Sequence, residues 1–180
     1  MTHVHHITAE ELAAATELAE KTLKMFAGRS GYYNNNFNSH LRGKLGEIAV
    51  STFLRSKGLT VDDLWKDLQR IGDADVVIHG RFRADVKTWD LRYWPDYGRC
   101  VSVSQFPKLR TKANTIIWCT SDSTIRAGMA VTIEGWNTME DIAQAPRRHT
   151  GPLNRRQVYN HQLDPDSLRE ISTILRFNNG

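Results

Sequence analysis

Covalent constraint is scarce in this chain. Two cysteines among 180 residues, Cys100 and Cys119, form neither a disulfide framework nor a zinc-ligand spacing, so an intracellular, reducing setting is expected. No apolar run approaches the roughly 20 residues that span a bilayer. The opening MTHVHHITAEE lacks the apolar centre of a secretory signal. A cytoplasmic protein with no membrane partner follows as the expectation. There is no glycine-rich phosphate loop with lysine, no HExxH and no nucleophile elbow, which removes three common catalytic classes. Internal repeats and Pro- or Ser-rich linkers are also missing, so 1–180 reads as a single domain.

What is present is an ordinary globular composition, 40% hydrophobic and 24% charged, with enough length for one sizeable core. The net charge of +4 suits a polyanionic partner, but many unrelated domains are equally basic.

Residues 8–27 read as an N-terminal helix: Thr8 and Glu11 have capping-box spacing, and Leu12, Ala15, Leu18, Ala19, Leu23 and Phe26 recur at helical intervals before Gly28. GRSGYYNNNFN reads as a loop, in which 34–38 is asparagine-rich. Ser39 is the expected cap of a second helix running to about Lys57 and closed by Gly58. Leu41, Leu45, Ile48 and Thr52 line one of its faces, with Lys44, Glu47 and Ser51 as a polar stripe beside it. A short strand near Leu59–Val61 precedes LWKDLQRI, which reads either as a helical turn or as extended chain.

Strands follow at 74–79 and 82–89 around the turn HGR, then at 100–104, then a short helix at 104–113 capped by Ser104, and a near-continuous apolar strand at 114–121. Beyond lie a strand (128–136), a helix (138–145), a basic loop, and a final helix over 164–177 with Pro165 at its first position. His3, His5 and His6 fall at an end expected to fray. The fold class is α/β, a mixed central sheet flanked by helices, with a core at 39–121, the N-terminal helix 8–27 and a strand-helix extension over 122–180.

The chemistry concentrates in DADVVIHGRFRADVK, residues 73–87. Side chains alternate along a strand, so Asp85 and Lys87 project from one face while Val86 turns to the core. A tight turn at 79–81 brings Asp75 or Asp73 beside the returning strand. Two carboxylates and an ammonium then meet at one sheet edge, with Glu47 arriving from the preceding helix. Magnesium favours oxygen ligands and commonly takes one or two carboxylates. The ion lowers the pKa of a water and offsets charge developing on a phosphate.

With those residues in that order, the sequence resembles the PD-(D/E)XK nuclease superfamily, the restriction-endonuclease-like fold, in the form of small Holliday-junction-resolvase and restriction-type nucleases. GKLGEIAVSTFLRSKG supplies the family helix with Glu47, DADVVIHG the strand opening on the family aspartate, and RADVKTW the (D/E)xK element. Asp75 fits that aspartate better than Asp73 because a hydrophobic strand follows it directly; the family's usual proline before it is Ala74 here.

The resemblance implies a Mg2+-dependent endonuclease, with Mn2+ as substitute, that hydrolyses DNA to 5′-phosphate and 3′-hydroxyl ends and often works as a homodimer. Restriction, phage and repair or recombination roles all suit the size. The implied catalytic set is Glu47, Asp75, Asp85 and Lys87, with Asp75, Asp85, Glu47 and the Val86 carbonyl as metal ligands and Asp73 as the alternative to Asp75. Gln105 stands where several branches place a polar residue facing the site. Lys44, Arg92, Arg147, Arg148, Arg155 and Arg156 are candidate nucleic-acid contacts.

Each residue also has a plain reading. Glu47 pairs with Lys44 on a surface stripe, Asp73 and Asp75 form turns, and Asp85 with Lys87 is a solvated ion pair. Arg92 and Arg99, interleaved with Tyr93, Trp94 and Tyr97, suit a nucleic-acid surface or a hairpin end packed on its own domain. Two other functions stay open: a ribonuclease or single-strand nuclease, and a nucleic-acid-binding or assembly protein that keeps the fold without catalysis.

Overall fold

A computed structural model describes residues 2–27, 36–70, 72–150 and 158–175. Helix α1 (Ala9–Met25) starts where the sequence places it: Thr8 Oγ1 accepts from the Glu11 amide and Glu11 returns a bond to the Thr8 amide, satisfying two amides that a bare helix end would leave open. Helix α2 (Phe37–Ser56) begins earlier than expected. Asn36, not Ser39, is its cap, because the Asn36 side chain accepts from the Ser39 amide. Residues 37 and 38 are therefore helical rather than part of an asparagine loop; residues 34 and 35, and Gly28, lie outside the described residues.

The central sheet has six strands in the order β1-β7-β6-β4-β3-β2: β1 (His3–His6), β2 (Val61–Asp63), β3 (Val76–Ile78), β4 (Phe82–Asp90), β6 (Thr115–Ser121) and β7 (Ala130–Thr138). β4 and β6 run parallel and the other pairs are antiparallel, so the protein is a mixed α/β structure. Parallel neighbours need a crossover. Here it carries two short helices, α3 (Trp94–Tyr97) and α4 (Phe106–Lys112), and β5 (Cys100–Ser102).

Each face of the sheet has its own core. Leu45, Ala49, Phe53 and Leu54 of α2, with Ala15 and Ala19 of α1, pack on Val76, Ile78, Ala84, Val86, Ile117 and Ile133. Phe106 and Leu109 of α4, with Met139 and Ile142 of α5 (Met139–Gln144), pack on Ile116 and Trp118. β6 is buried on both faces along its whole length, the condition its continuous apolar run anticipates.

Several sequence expectations need correction. The histidines at 3, 5 and 6 do not fray: they form β1, paired residue for residue with β7, and His5 Nε2 lies 3.0 Å from the Glu11 carboxylate. The strand at 100–104 leaves the central sheet. β5 instead joins β9 (Val158–Gln162) and β8 (Arg147–Thr150) in a small second sheet, so the supposed basic loop is partly strand. Ser104 does not cap α4; its hydroxyl bonds that of Ser102, and Gln105 precedes the helix.

Over 164–175 the expected final helix is replaced by 3-10 turns at Pro165–Ser167 and Ile171–Leu175; residues 176 and 177 lie outside the described residues. Between them Arg169 exchanges both main-chain bonds with Trp136 at 3.0 Å, which withdraws those groups from any helical ladder. LWKDLQRI likewise resolves into 3-10 turns at Leu64–Lys66 and Leu68–Arg70. Thr52 is exposed, outside the apolar face of α2.

One glycine fixes how closely α2 approaches the sheet. A Cβ on Gly46 would stand 1.8 Å from Thr88 Oγ1 of β4, so only glycine permits this spacing. Gly46→Ala is expected to cost about 2–3 kcal/mol in urea denaturation as an overpacked contact. Thr88→Ala, which removes the obstructing hydroxyl, should restore much of that loss in the double variant. Wild-type stability for Gly46→Ala would show that the helix rides higher than described.

Candidate active site

A cavity of about 380 Å³ opens between α2, the turns after β2, and the point where β3 and β4 part. Its lining includes Glu47, Asp75, Asp85, Val86 and Lys87, together with Lys44, Asp73 and Lys112. Residues from four separate stretches of chain thus face one volume.

Strand alternation delivers the first pair. Asp85 and Lys87 share a face of β4, with Asp85 Oδ2 2.7 Å from Lys87 Nζ, while Val86 between them is buried in the core. Asp85 is 1% exposed, and its Oδ2 has no aligned hydrogen-bond donor among the described residues despite the ammonium beside it. Its other oxygen meets Lys112 Nζ, carried in on the last residue of α4. Burial pushes the Asp85 carboxyl up, but Lys87 and Lys112 outweigh it and hold the group below its ordinary value.

Asp75 stands just before β3. Its amide donates to the Ala84 carbonyl and its Oδ2 accepts from the Val86 amide at 2.7 Å, which turns the carboxyl across β4 toward Asp85. Burial, then repulsion from Asp85 and Glu47, pushes this carboxyl up to about 7. Asp73 is placed differently: it is exposed and accepts from Arg70 Nε at 2.9 Å at the rim.

Glu47 is buried rather than on a surface stripe. Lys44 Nζ donates to it at 2.8 Å and to the Trp65 carbonyl at 3.3 Å, while Trp65 Nε1 donates to Ser51 at 3.4 Å. Lys44 and Glu47 of the polar stripe therefore face this cavity, while Ser51 is buried beside Trp65. Burial raises the Glu47 carboxyl above its ordinary value against the opposing pull of Lys44.

The remaining candidates sit apart from this cavity. Gln105 is half-buried ahead of α4 and does not line it. Arg92 pairs with Asp90 at 2.9 Å and lies over the Tyr93 ring. Arg99 is buried, donating to the Trp94 and Pro95 carbonyls, which matches a hairpin end packed on its own domain. Arg147, Arg148 and His149 are exposed on β8, and Arg148 lies 3.3 Å from Asp164. Arg155 and Arg156 fall outside the described residues.

Lys112 is the participant that sequence reading missed. SQFPKLRTKA offers three cations at 108, 110 and 112, and only the orientation of α4 selects one of them.

Three mutually repelling carboxylates around one cavity are the oxygen-donor chemistry that a hard divalent cation takes. As the side chains stand, the described residues contain no group of three or more His, Cys, Asp or Glu side chains placed to hold an ion. Lysines occupy Glu47 and Asp85 instead, and Asp75 accepts from the Val86 amide. Among the described residues no helix is long and apolar enough to cross a membrane. No family model matches the chain, and no curated protein matches it.

Proposed function

We propose that this protein is a divalent-cation-dependent DNA endonuclease built on the restriction-endonuclease-like fold. The observation that carries the reading is the meeting of Glu47, Asp75, Asp85 and Lys87, from α2, the start of β3, and β4, around one cavity. The element order supports it too. α2, the antiparallel run β2-β3-β4, α4, and β6 parallel to β4 follow the helix, three strands, helix, strand of that core, with β5 diverted to the second sheet.

In this reading Asp75, Asp85 and the Val86 carbonyl would hold Mg2+ or Mn2+, with Glu47 assisting directly or through water. When bound, the cation lowers the pKa of the attacking water and offsets charge growing on the phosphate. Lys87, about one-third exposed, presents its ammonium from the open side of Asp85 to orient the attacking oxygen and to stabilise the phosphate. Lys44 holds Glu47 in place from the preceding turn of α2. Exposed Arg147 and Arg148 on β8, with Arg92, are the proposed contacts to the DNA backbone.

Incubation with supercoiled plasmid tests this directly. Cleavage with Mg2+ or Mn2+ is expected, EDTA should stop it, and Ca2+ should support binding with little turnover. Cutting that survives EDTA would overturn the mechanism.

The pairing of Glu47 with Lys44 and of Asp85 with Lys87 and Lys112 favours a second reading, a nucleic-acid-binding protein whose buried charges are structural. It predicts DNA binding without cleavage under either metal. Parallel digestion of duplex, branched and single-stranded DNA and of RNA identifies the substrate.

A further inference from the structure

We infer that Lys112 is the resident counter-ion of the acidic cluster, holding on Asp85 Oδ1 the place a divalent cation would take, so that the cation enters by exchange with this ammonium. The inference rests on the reading of the cluster as a cation site.

Charge balance motivates it. Glu47, Asp75 and Asp85 bring three carboxylates to the cavity, and Lys44, Lys87 and Lys112 bring three ammoniums. A divalent ion added to that set would stand against an ammonium already in contact with its ligand, and two cations at contact distance repel strongly where water is partly excluded. One of the lysines has to withdraw.

The three are not equivalent. Lys44 is also held by the Trp65 carbonyl, lies over the Trp65 ring, and serves Glu47 rather than the aspartates. Lys87 sits on the strand of Asp85 itself, two residues away, so its backbone is fixed beside that carboxylate, and the proposed chemistry needs its ammonium there. Lys112 reaches Asp85 from another element at the end of a flexible stem. Its helix is anchored independently, by Phe106 and Leu109 in the core. Withdrawal therefore requires rotation about side-chain bonds alone. Its side chain is 21% exposed, so a path to solvent exists, and a displaced ammonium stays tethered at the cavity mouth where a phosphate would arrive.

The test is cation affinity, read without any turnover. Mn2+ is titrated by electron paramagnetic resonance, and Ca2+ by calorimetry, into wild type, Lys112→Gln and Lys108→Gln, the last an exposed residue one turn earlier on α4. Lys112→Gln should bind at least about tenfold more tightly, because a competing charge at contact distance is gone, whereas Lys108→Gln should stay within about twofold of wild type.

A wild-type measurement covers the case in which Lys112→Gln fails to fold. Lysines methylated with 13C-formaldehyde report their surroundings by NMR, and the Lys112 resonance should move toward a solvent-exposed position as Ca2+ saturates. Unchanged or weaker affinity in folded Lys112→Gln, or a Lys112 resonance indifferent to Ca2+, overturns the inference. Saturable wild-type binding with either of those results rejects the exchange alone; a wild type that takes up neither Mn2+ nor Ca2+ rejects the cation site with it.

Discussion

Lys87→Met should lower the rate of DNA cleavage by about 10²–10³-fold, the loss typical of removing one donor to a developing oxyanion, while thermal unfolding shifts by no more than a few degrees. The two effects separate because of where the side chain lies. Lys87 is about one-third exposed at the cavity, and Asp85 keeps Lys112 on its other oxygen when Lys87 is lost. Asp85 is buried, but with Lys112 still beside it the loss should stay nearer the roughly 1 kcal/mol of an exposed pair than the roughly 3–5 kcal/mol of a buried charge left without a partner. Asp85 is a poorer probe: removing its carboxylate strands two ammoniums beside a buried position, at a cost of about 3–5 kcal/mol. Plasmid nicking with Mg2+, read beside a melting curve, decides the matter. Wild-type cleavage by Lys87→Met would remove the lysine from the chemistry, and loss of cooperative unfolding would make it a structural partner.

The parts of the fold legible in the sequence are those whose signal is local. The α1 boundary is written in Thr8 and Glu11, three residues apart, and the buried strand β6 in a run of apolar residues. β1, β8 and β9 carry no such signal. HVHH and RRHT are too short and too polar to alternate, and only their partners, β7 and β9, make them strands. The C-terminal segment reads as a helix opened by Pro165; Trp136 on a distant strand claims the Arg169 main chain instead. Long-range pairing overrode the local reading in each case.

The candidate site divides along the same line. Asp85 and Lys87 on one face of β4 follow from period-two alternation, and Glu47 from its turn of α2. Placing Asp75 inward and Asp73 at the rim required β3–β4 register: the Val86 amide meets Asp75 and no comparable contact reaches Asp73. Lys112 depends on how α4 is set against β4, which no spacing within SQFPKLRTKA records.

Asp75→Asn should make the cation-free protein more stable above pH 7 while ending cleavage. In the folded protein burial, Asp85 and Glu47 push the Asp75 carboxyl up to about 7, against an ordinary value of 3.8. An acid whose pKa rises on folding binds its proton more tightly in the native state, so its stabilising contribution is complete below the unfolded value and disappears as pH climbs through the folded one. Between about pH 4 and pH 8 this group alone removes on the order of 3 kcal/mol. Asparagine keeps an oxygen for the Val86 amide and carries no charge, so the variant escapes that loss.

Urea denaturation in EDTA should therefore give matched stabilities near pH 4 and a gap that opens toward pH 8; taking the difference between the two proteins cancels other acids such as Asp90, which Arg92 holds low. Mg2+ should stabilise wild type at pH 8 by binding the native state and should do little for the variant, which lacks a ligand. A structural ion cluster predicts the reverse, a destabilised Asp75→Asn and indifference to Mg2+. On the proposed reading, a bound divalent cation offsets the cost of placing Asp75 beside two other carboxylates, and a variant less stable than wild type at pH 8 would remove that explanation.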